Sequence, residues 1–224
     1  MMITVHHLEN SRSQRILWLL EELGLDYDLV RYARDAKTML APPELRAVHP
    51  LGKSPIVVDD GEVLAESAAI IETLVERHDA AHALSPLPDT AESRRYRYWL
   101  HYAEGSAMPP LLMSLLFSRL KSAPMPFFVK PVARGIADKA LSSFVGPQLK
   151  LHIDYMEGEL GKHAWFAGEH FSAADIQMSF PVEAAAARVG FAKHPKLQAF
   201  LENIHARPAY RRAIERGGAY SLMR

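Results

Sequence analysis

The chain has 224 residues, 49% of them hydrophobic, with 26 basic and 26 acidic side chains and no cysteine. This is enough for one large or two small domains with a well-packed core, and no run approaches the ~18 apolar residues of a membrane span. Without cysteine there can be no disulfide, no thiolate metal site and no chemistry on a protein thiol, so any reacting thiol must arrive with the substrate.

The first residues, Met1-Met2-Ile3-Thr4-Val5, run straight into a strand pattern and lack the basic and apolar regions of a secretory signal, so a cytoplasmic protein is expected. Ile3 to His7 reads as a strand. Ser11 to Leu23 follows as a helix, with Ile16, Leu19, Leu20 and Leu23 on one face and Gly24 as its stop. Tyr27 to Tyr32 is a second strand, and so short a strand–helix–strand unit favours parallel pairing by a right-handed crossover. A short helix near Glu44–Val48 precedes two strands, Pro55–Asp59 and Glu62–Ala65, joined by the hairpin signal Asp60-Gly61. Glu66 to Arg77 completes a βαβ-ββα order as a helix.

Small and polar residues ending in Ser85-Pro86-Leu87-Pro88-Asp89 form a linker. Only helices follow: Thr90–Leu120, Pro131–Leu160, Ser172–Val189, Pro195–His205 and Pro208–Arg216, with Pro109-Pro110 expected to kink or break the first. The domains are therefore expected at residues 1–80, an α/β unit, and 90–224, all-α, with 81–89 between them. The first 80 residues hold 8 basic and 14 acidic side chains, net −6; the remainder hold 18 and 12, net +6. Complementary domains or subunits account for this asymmetry. The basic residues are scattered without interleaved aromatics, so no nucleic-acid partner is expected, and no membrane partner either.

Several motifs bear on chemistry. Ser172-Ala173-Ala174-Asp175 is a capping-box start and is assigned to folding. Ser54-Pro55 opens a strand, where a proline without an N–H is tolerated; a trans bond is the ordinary reading, and a cis bond would turn the Ser54 backbone toward a ligand. Glu66-Ser67 opens a helix, where N–H groups and the dipole favour a carboxylate and Glu66 could hold an ammonium, although a plain N-cap fits equally. Lys53 and His49 could reach a second carboxylate or stay solvated. Asn10-Ser11-Arg12-Ser13 lies at the first strand-to-helix turn, where one serine caps the helix and the other is free to stabilise a thiolate. His78 and His82 are four apart without a third ligand, so no metal site is expected; His6 and His7 point to opposite faces of their strand.

In this order and spacing, Ser-Arg-Ser-Gln-Arg-Ile-Leu-Trp, His-Pro-Leu-Gly-Lys-Ser-Pro, Leu-Ala-Glu-Ser-Ala-Ala-Ile-Ile and Phe-Ser-Ala-Ala-Asp-Ile resemble the cytosolic glutathione transferases along essentially the whole chain. Glu104-Gly105-Ser106 with Pro109-Pro110-Leu111 looks like the yeast-type group of fungi and bacteria. The resemblance implies a thioredoxin-like N-terminal domain, an all-helical C-terminal domain, a homodimer and a cis Ser54-Pro55 bond. It implies that glutathione, a cosubstrate and not a resident cofactor, is held by Glu66 and Ser67 at its γ-glutamyl end, by Lys53 and His49 at its glycine end, and by the Ser54 backbone at Pro55 in the middle. Ser11 is then the thiolate-stabilising hydroxyl, Ser13 its reserve and Asn10 a supporting donor. The acceptor pocket would include Tyr102, Met108, Met113 and Phe117, whose alternative role is helix packing. The expected activity is conjugation of glutathione to small hydrophobic electrophiles in detoxification, with glutathione-dependent peroxidase activity beside it. A non-catalytic binding or regulatory protein on the same fold is the alternative, and another glutathione-dependent enzyme, such as an isomerase or reductive dehalogenase, a further one.

Overall fold

The computed structural model describes residues 2–218, 220 and 221. Its sheet is built on Ile3–Leu8 (β1), where Ile3, Val5 and His7 face inward and are buried while Thr4 and His6 face the other side. The helix Ser13–Leu23 (α1) crosses from β1 to the parallel strand Asp28–Tyr32 (β2), and Gly24 ends it in the left-handed conformation. Glutamate 44 leads into the single turn Leu45–Val48 (α2). Ile56–Asp59 (β3) and Glu62–Ala65 (β4) form the hairpin predicted at Asp60-Gly61, and β3 pairs antiparallel with β1. The strand order is β2-β1-β3-β4, and Ser67–His78 (α3) packs with α1 against the inward face.

The remaining helices are Ala91–Tyr102 (α4), Met108–Ser122 (α5), Lys130–Ala140 (α6), Gly146–Leu160 (α7), Ala173–Val189 (α8), Pro195–Ala206 (α9) and Pro208–Gly217 (α10). The interruption expected at Pro109-Pro110 falls just ahead of them. A wider π-helical turn, Ala103–Ala107, joins α4 to α5, so the two prolines occupy the first turn of α5 and the strain of a missing N–H and a crowded carbonyl falls on the turn before them. The same device, Leu141–Val145, precedes Pro147 between α6 and α7, a second joint within what the sequence suggests is one helix.

Helix α8 is the axis of the helical half, and nearly all of its first turns are buried. The capping box is present, with the Ser172 backbone N–H donating to Asp175 Oδ2 at 2.9 Å and the Phe166 N–H to its Oδ1 at 2.9 Å. Burial pushes the Asp175 carboxyl up to about 7 against those hydrogen bonds. Helix α10 returns across α1, where Arg207 grips Glu22 at 2.5 and 2.9 Å, Arg212 grips Glu21 at 2.7 Å and Arg216 donates to the Tyr27 carbonyl at 2.8 Å. The net-negative half and the net-positive half are thus riveted together within one chain. Among the described residues no helix is long and apolar enough to cross a membrane.

Candidate active site

The loop after β1, the turn before β3 and the start of α3 meet around the C-terminal end of β1. The Ser54-Pro55 bond is cis, as the resemblance implies. The Ser54 hydroxyl accepts from the Leu8 N–H at 3.3 Å and donates to the His6 carbonyl at 3.2 Å, tying the cis-proline loop to the end of β1. Just before it, Gly52 has a φ of +55°, and a Cβ there would stand 2.6 Å from the Arg46 side chain, so the turn from His49 into Lys53 admits only glycine. This leaves Lys53 exposed and His49 half-buried at the loop surface.

Ser11 is buried, 6% exposed, at the mouth of α1. Its Oγ accepts from the Ser13 N–H at 3.2 Å, lies 2.8 Å from Ser13 Oγ and reaches Ser54 Oγ at 3.4 Å. Ser13 sits deeper, fully buried, with its Oγ 2.8 Å from His7 Nδ1. Of the two serines, Ser11 is nearer the surface. Asn10 adopts a φ of +48°, and its Oδ1 accepts from the Ser221 N–H at 2.7 Å. The side chain expected to support a ligand is therefore engaged by the C-terminal segment.

Glu66 ends β4 with a φ of +70°, a sparsely populated conformation for a residue with a side chain, and is exposed. Ser67 behind it is buried, and its Oγ accepts from Arg15 Nη2 at 2.9 Å, which leaves the Ser67 proton free to donate. Arg15 is buried, and no local sequence pattern marks its role. It also donates to Glu104 at 2.6 Å and to the Gln177 carbonyl at 2.6 Å, while Arg12 Nε sits 2.9 Å from both Glu104 oxygens. Burial raises the Glu104 carboxyl, but Arg15 and Arg12 outweigh it and hold it below the ordinary range. Glu104 stands in the π-helical turn, so that turn delivers an anion across the domain boundary to the two arginines that flank the site.

The four acceptor-side residues separate into two pairs. Tyr102 lies among the rings of Tyr98, Trp99 and Tyr155, its hydroxyl 2.6 Å from His152 Nδ1, and Met108 is buried. These two pack the helical core. Met113 and Phe117, four apart on α5, lie half-buried on one face. A cavity of about 480 Å3 lies elsewhere, at the linker, lined by Pro86, Leu87, Gly168, His170 and Phe171 among others, and includes none of the residues above.

Residues 11–77 match the model of the glutathione S-transferase N-terminal domain and residues 123–208 that of the C-terminal domain. Glutathione S-transferase 1 of Saccharomyces cerevisiae is 37% identical over 226 residues, covering 97% of this chain and 96% of the yeast protein. This chain belongs to the glutathione S-transferase family. Glutathione S-transferase 3 of Schizosaccharomyces pombe is 39% identical, covering 96% of the chain and 88% of that relative. The crystal structure of a glutathione S-transferase from Actinobacillus pleuropneumoniae superposes with a TM-score of 0.81 at 35% identity, covering 98% of this chain and 94% of that one. These relatives place this transferase with the fungal and bacterial type. A glutathione transferase from Phanerochaete chrysosporium, solved with oxidized glutathione, shares the fold with a TM-score of 0.77 at 19% identity and coverage of 96% and 94%.

Proposed function

We propose that this glutathione transferase joins the glutathione thiolate to small hydrophobic electrophiles, with Ser11 as the hydroxyl that stabilises the sulfur. The observation that carries this reading is the meeting of Ser11 and Ser54 at the first turn of α1, with Lys53 next to Ser54 in the chain and Ser67 tied to α1 through Arg15. A tripeptide with a carboxylate at each end and an ammonium at one matches that distribution of groups. Ser67 donates to the γ-glutamyl carboxylate and Glu66 faces the ammonium. Lys53 and His49 serve the glycine carboxylate, and the Ser54 backbone before cis-Pro55 pairs with the cysteinyl residue.

Ser11 Oγ–H donates to sulfur, and the positive end of α1 adds potential, drawing the thiol down from its free pKa of ~8.5. The thiol proton leaves to water. The thiolate forms a bond to the electrophilic carbon, and the leaving group departs with the bonding pair. With a hydroperoxide, sulfur takes the terminal hydroxyl, the O–O bond breaks and the alkoxide leaves with the bonding pair, taking a proton from water to become the alcohol; a second glutathione then turns the sulfenic acid into disulfide and water. Met113 and Phe117 supply the apolar side. The protein works in the cytoplasm as a homodimer, the −6 half of one copy facing the +6 half of the other.

Thiolate absorbance of bound glutathione, followed against pH, tests the assignment. Ser11→Ala is expected to raise the thiol pKa and to lower kcat/KM about 100-fold, which is ~2.7 kcal/mol of lost stabilisation. An unchanged pKa removes Ser11 from the role. Wild-type protein that binds glutathione without forming thiolate supports the non-catalytic reading instead.

A further inference from the structure

Behind Ser11 runs a short buried chain of polar atoms. Ser11 Oγ lies 2.8 Å from Ser13 Oγ, and Ser13 Oγ lies 2.8 Å from His7 Nδ1. Both inner members are shielded, Ser13 at 0% and His7 at 3% exposure. The competing contacts are longer, 3.3 Å from Ser13 Oγ to the Leu8 carbonyl and 3.4 Å from Ser11 Oγ to Ser54 Oγ.

Each hydroxyl has one proton, so the two short contacts can be made in three senses, one of which has Ser13 accept from both neighbours and turn its proton to the more distant Leu8 carbonyl. If Ser11 gives its proton to the glutathione sulfur, the contact with Ser13 must use the Ser13 proton. Ser13 must then accept from His7, and the ring proton sits on Nδ1. If the ring proton sits on the other nitrogen, Ser13 donates to His7 and Ser11 donates to Ser13, leaving nothing for the sulfur. An Nδ1 proton on His7 is therefore the condition for a Ser11 proton free for the sulfur, and the shorter Ser11–Ser13 contact favours that state over a turn toward Leu8.

His7 is an orienting group and not a base. Burial first, and the charge of Arg31 second, push it down to about 4, against the Gly217 backbone and Glu9, which favour a proton. At neutral pH it holds a single ring proton and does not take up the thiol's.

We propose that His7 and Ser13 are positioning residues of the transferase site, fixing the direction in which Ser11 presents its hydroxyl proton. The proposal rests on the role of Ser11 given above. A purely structural chain would pin the loop to β1 without regard to which way the protons run. The two differ in what they do to the bound thiol.

The test uses the full chain, glutathione and chlorodinitrobenzene, with thiolate titration, kcat and glutathione KM measured for Ser13→Ala, His7→Leu, His7→Asn and Ser11→Ala. Ser13→Ala and His7→Leu are expected to raise the bound thiol pKa by about one unit and lower kcat about tenfold, with KM nearly unchanged. His7→Asn, whose side-chain amide places an N–H near the position of Nδ1, is expected to recover most of the loss. His7→Leu added to Ser11→Ala is expected to cost no more than Ser11→Ala alone. Wild-type thiol pKa in folded Ser13→Ala, with Ser11→Ala still raised, overturns the relay and leaves Ser11 in place. Wild-type pKa in Ser11→Ala as well overturns the reading beneath it. Should His7→Leu fail to fold, Ser13→Ala decides.

Discussion

In the helical half, the most deeply buried acid, Asp175, commits its carboxylate to the backbone N–H groups of Phe166 and Ser172 and to the Ser172 hydroxyl. In the thioredoxin-like half, the buried hydroxyls of Ser11 and Ser67 accept from the Ser13 N–H and from Arg15 and keep protons that can be turned outward. The first arrangement is closed, since every donor aimed at Asp175 is satisfied by it. The second is open toward solvent on one side. One half is built to hold a shape and the other to meet a ligand, and single substitutions should separate the two.

Asp175→Ala should have the largest effect. It strands two buried N–H groups at the start of α8, a loss of about 4 kcal/mol, read as a fall in the urea unfolding midpoint. A loss below ~1 kcal/mol would break the contrast. Next comes His7, on the other side of it. Its pKa is about 4 in the fold against 6.5 in the open chain, so only the unfolded state gains a proton between those values. The His7 contribution to stability is therefore full above pH 6.5 and declines as pH falls toward 4, by up to about 3 kcal/mol. Asp175, raised from 3.8 to about 7 by burial, runs the opposite way over the same window, so the His7 slope is read as a difference: the unfolding free energy of wild type minus that of His7→Asn, from urea curves, should fall between pH 6.5 and 4.

Glu66→Ala belongs to the open half alone. Glutathione affinity should weaken about tenfold, ~1.4 kcal/mol by calorimetry, while the unfolding midpoint stays within ~0.5 kcal/mol. An equal fall in both would place Glu66 with Asp175. Smallest is Lys53→Ala, where an exposed ammonium should change glutathione affinity by only a few-fold, roughly 0.5–1 kcal/mol, and the difference should fade as salt is raised.

The order of strands and helices was legible because each element carries its own signal. Alternation marks β1, Asp60-Gly61 marks the hairpin, and Ser172 with Asp175 marks the start of α8. The pieces proposed to hold glutathione stood out for the same reason, as short motifs at element ends. What joins them was not. Arg15 lies 89 positions from Glu104 and 162 from Gln177, and no local pattern connects such residues. His7 gave a partial signal, since alternation with Ile3 and Val5 turns it inward, where an imidazole requires a partner; which partner depends on how α1 enters. The interruption near Pro109-Pro110 was legible but its form was not, because the rule against proline says only that an α-helical turn before it is strained, and Ala103–Ala107 relieves that strain by widening.

The grip of α10 on α1 bears on the order in which this molecule comes into being. A ribosome releases β1 and α1 first, while the arginines that neutralise Glu21 and Glu22 are still untranslated. Trp18 and Tyr27 already donate to them, but only when Arg207, Arg212 and Arg216 emerge do those acids gain cationic partners, and only with Ser221 does Asn10 receive its N–H. The domain made first is thus finished last, and a nascent chain stalled before α10 would carry every side chain proposed to face glutathione without the scaffold that sets them in place.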